Sequence, residues 1–318
     1  MKPSPVTIIY NPRAGGGSSQ GEPSWLSDAR RLVAADTGSP PRVFASRDFA
    51  EAERFAGEAA DAGAPLVIAA GGDGTVRAVA EGLIRKETPL GILPRGTINV
   101  LARELGIPLD DAPGALGIAL RGETRALDMG KSGDRHFLLM ASVGIDASAV
   151  ENVNVELKSF VGGGAYVVAG LSALATFTPP VMTVWVGGAR EPYWHGEAFA
   201  VVIANTRSYG GDFPIAPEAE WDDGQFDICI FGALDAPLPV QRAHFLRQVG
   251  AVTVNLHRSD PDIHYLRASR VVVESDPPVP VQIDGDALAT TPLSVEVVAR
   301  ALTVRVPVRP EEAQGFTG

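Results

Sequence analysis

One cysteine, Cys229, in 318 residues rules out an internal disulfide framework and any multi-cysteine zinc site. A lone thiol fits a reducing cytoplasm, which is the expected location. Positive charge is also short: 27 Lys and Arg against 38 Asp and Glu leave a formal net charge of -11. That balance lacks the basic footprint needed to neutralise a phosphate backbone, so nucleic acid is not an expected partner. It also opposes broad adsorption to an anionic membrane. Membrane contact should therefore be peripheral and brief, made at the inner face through a local basic or apolar patch. The N-terminus has no long apolar stretch before a small-residue cleavage site, and no export signal is expected. The nearest approach to a membrane span, residues 160–177, is diluted by Gly162, Gly163, Gly164, Ser172 and Thr176 and stopped by Pro179 and Pro180. It reads as a buried or surface helix. Hydrolase chemistry finds neither a Gly-x-Ser-x-Gly elbow nor a His-Glu-x-x-His pair. The histidines (His136, His195, His244, His257 and His264) are scattered without metal-ligand spacing.

Apolar material is sufficient: 45% hydrophobic and 20% charged residues can close real cores, and the length suits two domains. Short β-branched runs alternate with helical patterns over roughly the first 110 residues, the mark of βαβ units and a parallel sheet. Strands are expected at 6–10, 42–44, 66–70 and 90–93, with helices at 24–35, 49–62, 75–85 and 97–105. From about Leu127 the pattern turns strand-rich, with runs at 137–142, 182–186, 199–203, 226–231 and 270–274, as in an antiparallel β domain. A helix is expected at 240–249, closing strands at 295–298 and 302–306, and a frayed tail at 310–318.

Gly71-Gly72-Asp73-Gly74-Thr75 is the most informative segment. Its glycines keep side chains away from an incoming phosphate, and the following helix offers its N-terminal N–H groups. A carboxylate in such a loop would repel bare phosphate, so Asp73 points to an intervening metal ion. The same residues also suit a tight strand-to-helix turn with Asp73 as a cap. A second glycine turn, Pro94-Arg95-Gly96-Thr97-Ile98-Asn99, and a third stretch from Asn11 to Gly17 follow other strands at the same sheet edge, where ligands of open α/β sheets bind. Gly130-Lys131-Ser132 mimics the end of a P-loop, but Arg125 replaces the first glycine and the segment reads as a turn. Gln282-Ile283-Asp284-Gly285-Asp286 reads first as a hairpin turn, with the alternative of two carboxylates placed to hold a metal or take a proton. Asp222-Asp223-Gly224 reads as an exposed turn.

Together these stretches resemble the diacylglycerol kinase catalytic-domain family, which takes in bacterial lipid kinases and sphingosine and ceramide kinases, with NAD kinases more distant. The resemblance rests on Asn11-Pro12 with Gly15, the segment from Gly71 to Thr75, Leu93-Pro94 with Gly96-Thr97 and Asn99, Ala102-Arg103, and Gly144-Ile145-Asp146. It continues through Ala204-Asn205, Gly210-Gly211, Ala216-Pro217, Asp222-Asp223-Gly224 and Asp284-Gly285. The glycine-aspartate-glycine-threonine core is shared with NAD kinases, whereas the later stretches favour the lipid-kinase branch. The resemblance implies an ATP-binding α/β domain with a mostly parallel sheet at residues 1–127, onto which strands from about 300 pack back. An antiparallel β-sandwich for the lipid substrate would span 128–299, with the active site in the interdomain cleft.

The same resemblance assigns ATP contacts to Asn11, Pro12, Arg13, Ala14, Gly15, Gly71, Gly72, Asp73, Gly74, Thr75, Val76 and Thr97, with Ser46 near a nucleotide-contacting threonine of bacterial members. Asp73 would reach catalytic Mg²⁺ through water. Asp286 stands where many bacterial members carry a glutamate that accepts the acceptor's proton, and Asp284 is its neighbour in that role. A structural Mg²⁺ is implied at the Asp223 side chain, with the carbonyls of Glu220 and Gln225 as further ligands. The chain departs from the family pattern at Gly16, Arg77, Ala78, Val100 and Asp286. The expected reaction is ATP-dependent phosphorylation of a lipid hydroxyl, with diacylglycerol or a related lipid presented at a membrane surface. An NAD kinase-like or other small-metabolite kinase, and a nucleotide-binding regulatory protein without turnover, are the rivals.

Overall fold

The computed structural model describes residues 4–12, 22–152, 173–210 and 213–308. Arg13, Ala14 and Gly15, most of the apolar stretch at 160–177, Gly211 and the expected tail lie outside them. The chain divides into two compact units, Met1–Leu127 with Arg300–Gly318, and Asp128–Ala299.

The first unit alternates β1 (Thr7–Tyr10), α1 (Ser24–Thr37), β2 (Arg42–Ala45), α2 (Phe49–Asp61), β3 (Val67–Gly71), α3 (Asp73–Leu83), β4 (Leu90–Pro94), α4 (Val100–Glu104) and α5 (Ala112–Arg121). Its strands lie parallel in the order β2-β1-β3-β4. The end of the last strand, β15 (Leu293–Val306), adds in parallel beside β4, with Val304 opposite Leu90. β1, β3 and β4 are buried along their whole length, which is why they read as unbroken apolar runs rather than alternating ones. The chain runs from β1 to β2 on one side and returns to β3 on the other. The order therefore reverses between β1 and β3, and in open α/β sheets ligands bind beyond the carboxyl ends of the strands at such a reversal.

The second unit holds β5 (Glu123–Ser132, its first residues in the other unit), β6 (Arg135–Phe137), β7 (Met140–Gly144), α6 (Ile145–Asn152), β8 (Val181–Val186), β9 (Trp194–Ala204), β10 (Phe226–Gly232), α7 (Leu238–Thr253), β11 (Ile263–Ala268), β12 (Arg270–Asp276), β13 (Pro280–Ile283), β14 (Asp286–Thr290) and the start of β15. The long strand β9 joins two antiparallel sheets. Its first half pairs β8, which leads to β12 and β15. Its second half lies between β7, with β13 and β14 beyond, and β10, with β11 beyond. The inner faces meet in one core containing Phe137, Met182, Val184, Ile203, Phe226, Ile228, Val271, Val273, Val281 and Val295. The result is the expected β-sandwich, and Phe137 stacks on Phe226 with ring centroids 5.5 Å apart.

Several local expectations change. Gly130-Lys131-Ser132 is the end of β5 and no turn, since Gly130 pairs with Phe137. A Cβ on Gly130 would lie 2.0 Å from the Phe137 ring, so packing demands this glycine. The strand expected at 137–142 is two strands, because the backbone between them turns to meet Asp284. The helix expected from Thr97 begins only at Val100, and the strands expected at 295–298 and 302–306 are one.

Candidate active site

At the carboxyl edge of the first unit, the turns after β3 and β4 touch backbone to backbone. A Cβ on Gly96 would lie 2.4 Å from Gly72 Cα, and one on Gly72 would lie 3.2 Å from Gly96 Cα, so neither turn has room for a side chain. The Arg95 N–H donates to the Gly71 carbonyl at 2.9 Å, tying the turns together. Asn99, held at φ 54°, latches the second turn: its Oδ1 accepts from Gly96 N at 2.9 Å and its Nδ2 donates to Gly96 O at 2.8 Å. These bonds explain why the helix starts late, since residues 95–99 form a closed turn of their own.

Within the first motif only part of the segment faces outward. Thr75 and Val76 are buried, and both their N–H groups donate to the Gly72 carbonyl at 2.9 and 3.0 Å. Their expected nucleotide contacts therefore give way to a role in starting α3. Gly71 is buried, Gly72 half-buried and Gly74 exposed, and a Cβ on Gly74 would meet nothing within 4 Å. Asp73 is the first residue of α3, not a free loop residue, and its Oδ1 accepts from Leu101 N at 3.2 Å, capping α4. Burial pushes its carboxyl up, against the pull of backbone N–H groups led by those of Val100 and Leu101. Thr97 is exposed on the second turn, and Asn11 and Pro12 are half-buried at the end of β1. Ser46 is buried at the end of β2, where its hydroxyl donates to Tyr10 O at 3.2 Å. That bond makes Ser46 a tie between β1 and β2 rather than a free donor for nucleotide.

In the second unit, Asp284 (φ 48°) and Gly285 (φ 80°) form the two-residue turn between β13 and β14, with Ile283 opposite Asp286. The hairpin reading of this segment holds at Asp284. The Asp284 carboxylate accepts from three backbone N–H groups, Leu138 at 2.8 Å and Leu139 and Met140 at 2.9 and 3.0 Å. That is a clamp, and the expectation of a catalytic base at Asp284 is corrected, since both its oxygens are already engaged. Asp286 is exposed at the start of β14. Behind the turn, Gly285 N donates to Gln282 Oε1 at 2.8 Å, and Gln282 Nε2 donates to Ser142 Oγ at 2.7 Å. Ser142 in turn donates to Asp146 Oδ2, which Tyr209 Oη reaches at 3.2 Å. Asp146 Oδ1 is shut off from solvent and has no hydrogen-bond partner among the described residues, and burial pushes this carboxyl up. Asp146 entered the sequence reading only as part of a matching stretch. A carboxylate in the first turn of a helix after Gly144 was the available signal.

The residues assigned to a structural Mg²⁺ do not fit one. Asp223 Oδ1 accepts from Gln225 N at 2.9 Å, and Oδ2 is paired with the Arg267 guanidinium. Arg267 also reaches buried Asp227 at 3.4 Å. A fixed cation thus stands against the carboxylate where the ion was expected. The expected set of Glu220, Asp223 and Gln225 is corrected accordingly. Buried Asp128, absent from the sequence candidates, fixes the same turn by accepting from Gly224 N at 2.6 Å. Its signal was an acid set between buried Leu127 and Met129.

Residues 5–132 match the model of the diacylglycerol kinase catalytic domain, and residues 140–306 match that of the YegS C-terminal NAD kinase beta sandwich-like domain. The chain belongs to the diacylglycerol kinase family. It is a kinase, a phosphotransferase. This kinase is 33% identical over 286 residues to a protein of Pseudomonas fluorescens named probable lipid kinase YegS-like, covering 88% of this chain and 89% of the relative. To the diacylglycerol kinase of Bacillus subtilis it is 29% identical over 281 residues, 88% of each chain. The crystal structure of a diacylglycerol kinase from Bacillus anthracis str. Sterne aligns with a TM-score of 0.70 at 22% identity, covering 98% of this kinase and 99% of that chain. At that identity the likeness speaks for the fold.

Proposed function

We propose that this kinase transfers the γ-phosphoryl group of ATP to a lipid hydroxyl, with diacylglycerol or a close relative as acceptor. The observation that carries the nucleotide half of the reading is the side-chain-free contact between Gly72 and Gly96, beside a helix N-terminus at the carboxyl edge of a parallel sheet. The exposed glycine at Gly74 lets a phosphoryl oxygen approach the first turn of α3, while Asn99 holds the second turn rigid. Phosphoryl transfer depends chiefly on positioning and charge neutralisation, and a preset backbone cradle serves the first. Mg²⁺ bound with the nucleotide would supply the second, and Asp73, its carboxyl fixed by Leu101, is the acid of this cradle that would hold it. In this reading Asp286 takes the proton of the acceptor hydroxyl, and Asp284 keeps the turn beneath it in place.

Relatives named as lipid kinases and diacylglycerol kinase support a lipid acceptor over a soluble metabolite. The test offers γ-labelled ATP with diacylglycerol or ceramide in mixed micelles and, separately, with NAD. Label should enter the lipid extract and require micelles. Label that appears only in NAD or another soluble product would overturn the reading.

A further inference from the structure

We propose that the outer face of α7 and its exit is the surface on which this kinase rests on a lipid bilayer. Three of the four buried positions of this helix are polar, Gln241, His244 and Gln248, with Val252 as the fourth. Its outward positions include Val240, Ala243, Leu246 and Gly250, with Arg247 and Thr253 among them, and the exit adds Val254 and Leu256. Val240 is 50% exposed, Leu246 47%, Val254 63% and Leu256 62%, half of the exposed large hydrophobic side chains among the described residues. Single exposed apolar residues are ordinary, whereas buried polar groups paired with a contiguous exposed apolar stripe mark an interaction face.

Hydrogen bonds fix this orientation. Gln241 Nε2 donates to Glu197 Oε2 at 3.1 Å and to Leu234 O at 2.9 Å. Gln248 Nε2 donates to Gly232 O at 3.2 Å and to Asp262 O at 2.9 Å. Phe245 alone among the larger apolar residues of the middle turns reaches inward to rings, stacking on Phe199 at 4.7 Å and meeting Phe231 at 6.0 Å. Rolling the helix to hide its stripe would break the glutamine bonds, so the stripe stays outside.

Charge selects the occupant. The chain carries -11 overall, yet residues 238–258 contain no Asp or Glu and three arginines, Arg242, Arg247 and Arg258. Three neighbouring acids are engaged by these arginines: Arg247 pairs with Asp260 and with Asp262 at 3.0 Å, and Arg258 pairs with Glu218. An acid-free apolar strip bordered by arginines on an otherwise acidic chain suits a phospholipid surface, which would repel most of the remaining exterior. Because the arginines are already paired, attachment should be driven by apolar insertion and should survive added salt.

The inference rests on the lipid-kinase reading for its purpose, but its test measures attachment directly. Full-length protein is sedimented with vesicles of phosphatidylethanolamine and phosphatidylglycerol, for wild type and for Leu246→Asp with Val254→Asp. Wild type should sediment with vesicles at low and high salt, and the double variant should partition about tenfold or more weakly while keeping its melting temperature. Turnover of a short-chain, monomeric diacylglycerol should be unchanged in the variant, while turnover of vesicle-borne lipid falls. Wild type that stays in the supernatant, or a variant that sediments equally well, would overturn the proposal. So would a concentration-dependent dimer that the same variant abolishes, since the stripe would then belong to a second copy. If wild type attaches and the variant does not, but no lipid is phosphorylated, the docking surface stands and the acceptor assignment fails.

Discussion

Gly74→Ala separates the fold's need for glycine from the ligand's. Gly74 lies in the first turn of α3, and a Cβ there meets nothing within 4 Å. The substitution should leave the free protein intact, and the helix should gain up to about 1 kcal/mol because alanine loses less backbone freedom on folding. In a domain of this size that raises the melting temperature by roughly 2–4 °C at most. If the first turn of α3 takes the phosphates, the same methyl stands between an N–H and an incoming oxygen. Losing one charge-assisted hydrogen bond costs about 1.5–3 kcal/mol, which is roughly a 10- to 150-fold weaker dissociation constant for ATP. Gly96→Ala is the contrast. Its Cβ would sit 2.4 Å from Gly72 Cα and 2.8 Å from Asn99 Oδ1, so that variant should lose melting temperature as well as ATP affinity. Titration calorimetry with ATP and thermal melts on both variants give the result. Gly74→Ala protein that binds ATP within twofold of wild type would refute the cradle at α3, whatever its stability.

The aspartates make three further predictions. Asp284→Asn keeps an oxygen for Leu139 and Met140 but sets an amide donor against the Leu138 N–H and should lower stability by about 2 kcal/mol, whereas Asp286→Asn should leave the melt unchanged and cut kcat by roughly 10²–10⁴-fold, with Asp286→Glu keeping activity. Asp223→Ala should lower the melting temperature by a few degrees, about 1–2 kcal/mol, as Arg267 loses a partner. A chelator should not shift the melt of the wild-type protein, and a chelator-sensitive melt would restore an ion at that turn. Asp146 carries a carboxyl raised by burial, so the folded protein holds its proton to higher pH than the unfolded chain does. Its contribution to stability is therefore fullest below the ordinary aspartate value of about 4 and declines as pH rises through the raised value. Asp146→Asn should flatten that decline in pH-dependent melts, and an unchanged pH slope would contradict it.

The first unit was largely legible in the sequence because a parallel sheet covered on both faces writes itself as short apolar runs. Val67 to Gly71 and Leu90 to Pro94 are buried throughout, and each is followed by a glycine turn. The sandwich was harder to read. β11 has an irregular burial pattern, and β9 changes partners midway, so no single alternation describes it. Helix α7 was expected at 240–249 and spans Leu238–Thr253, but the sequence pattern carries no sign of which face turns inward. A reading that assumes apolar residues point inward assigns Leu246 and Val254 to the core, and only the hydrogen bonds of Gln241 and Gln248 show the reverse.

At the site, motif reading found the right segments but could not divide the labour within them. Asp-Gly followed by Asp is at once a hairpin signal and a pair of candidate bases, and local chemistry cannot choose between these. The choice is made about 145 residues earlier in the chain, where the N–H groups of Leu138, Leu139 and Met140 turn to face Asp284. The clamp also explains why β6 and β7 are two strands: those N–H groups leave the sheet ladder to bind a carboxylate, and pairing stops at Phe137. The same logic holds at Asp223, where the deciding residue, Arg267, lies 44 positions away on β11. In both places a motif aspartate meets a partner distant in sequence, and that partner sets whether the carboxylate remains available for chemistry. Asp286, exposed one residue beyond the Asp284-Gly285 turn, is the acid that the proposed reaction uses, and Asp284→Asn serves as its structural control.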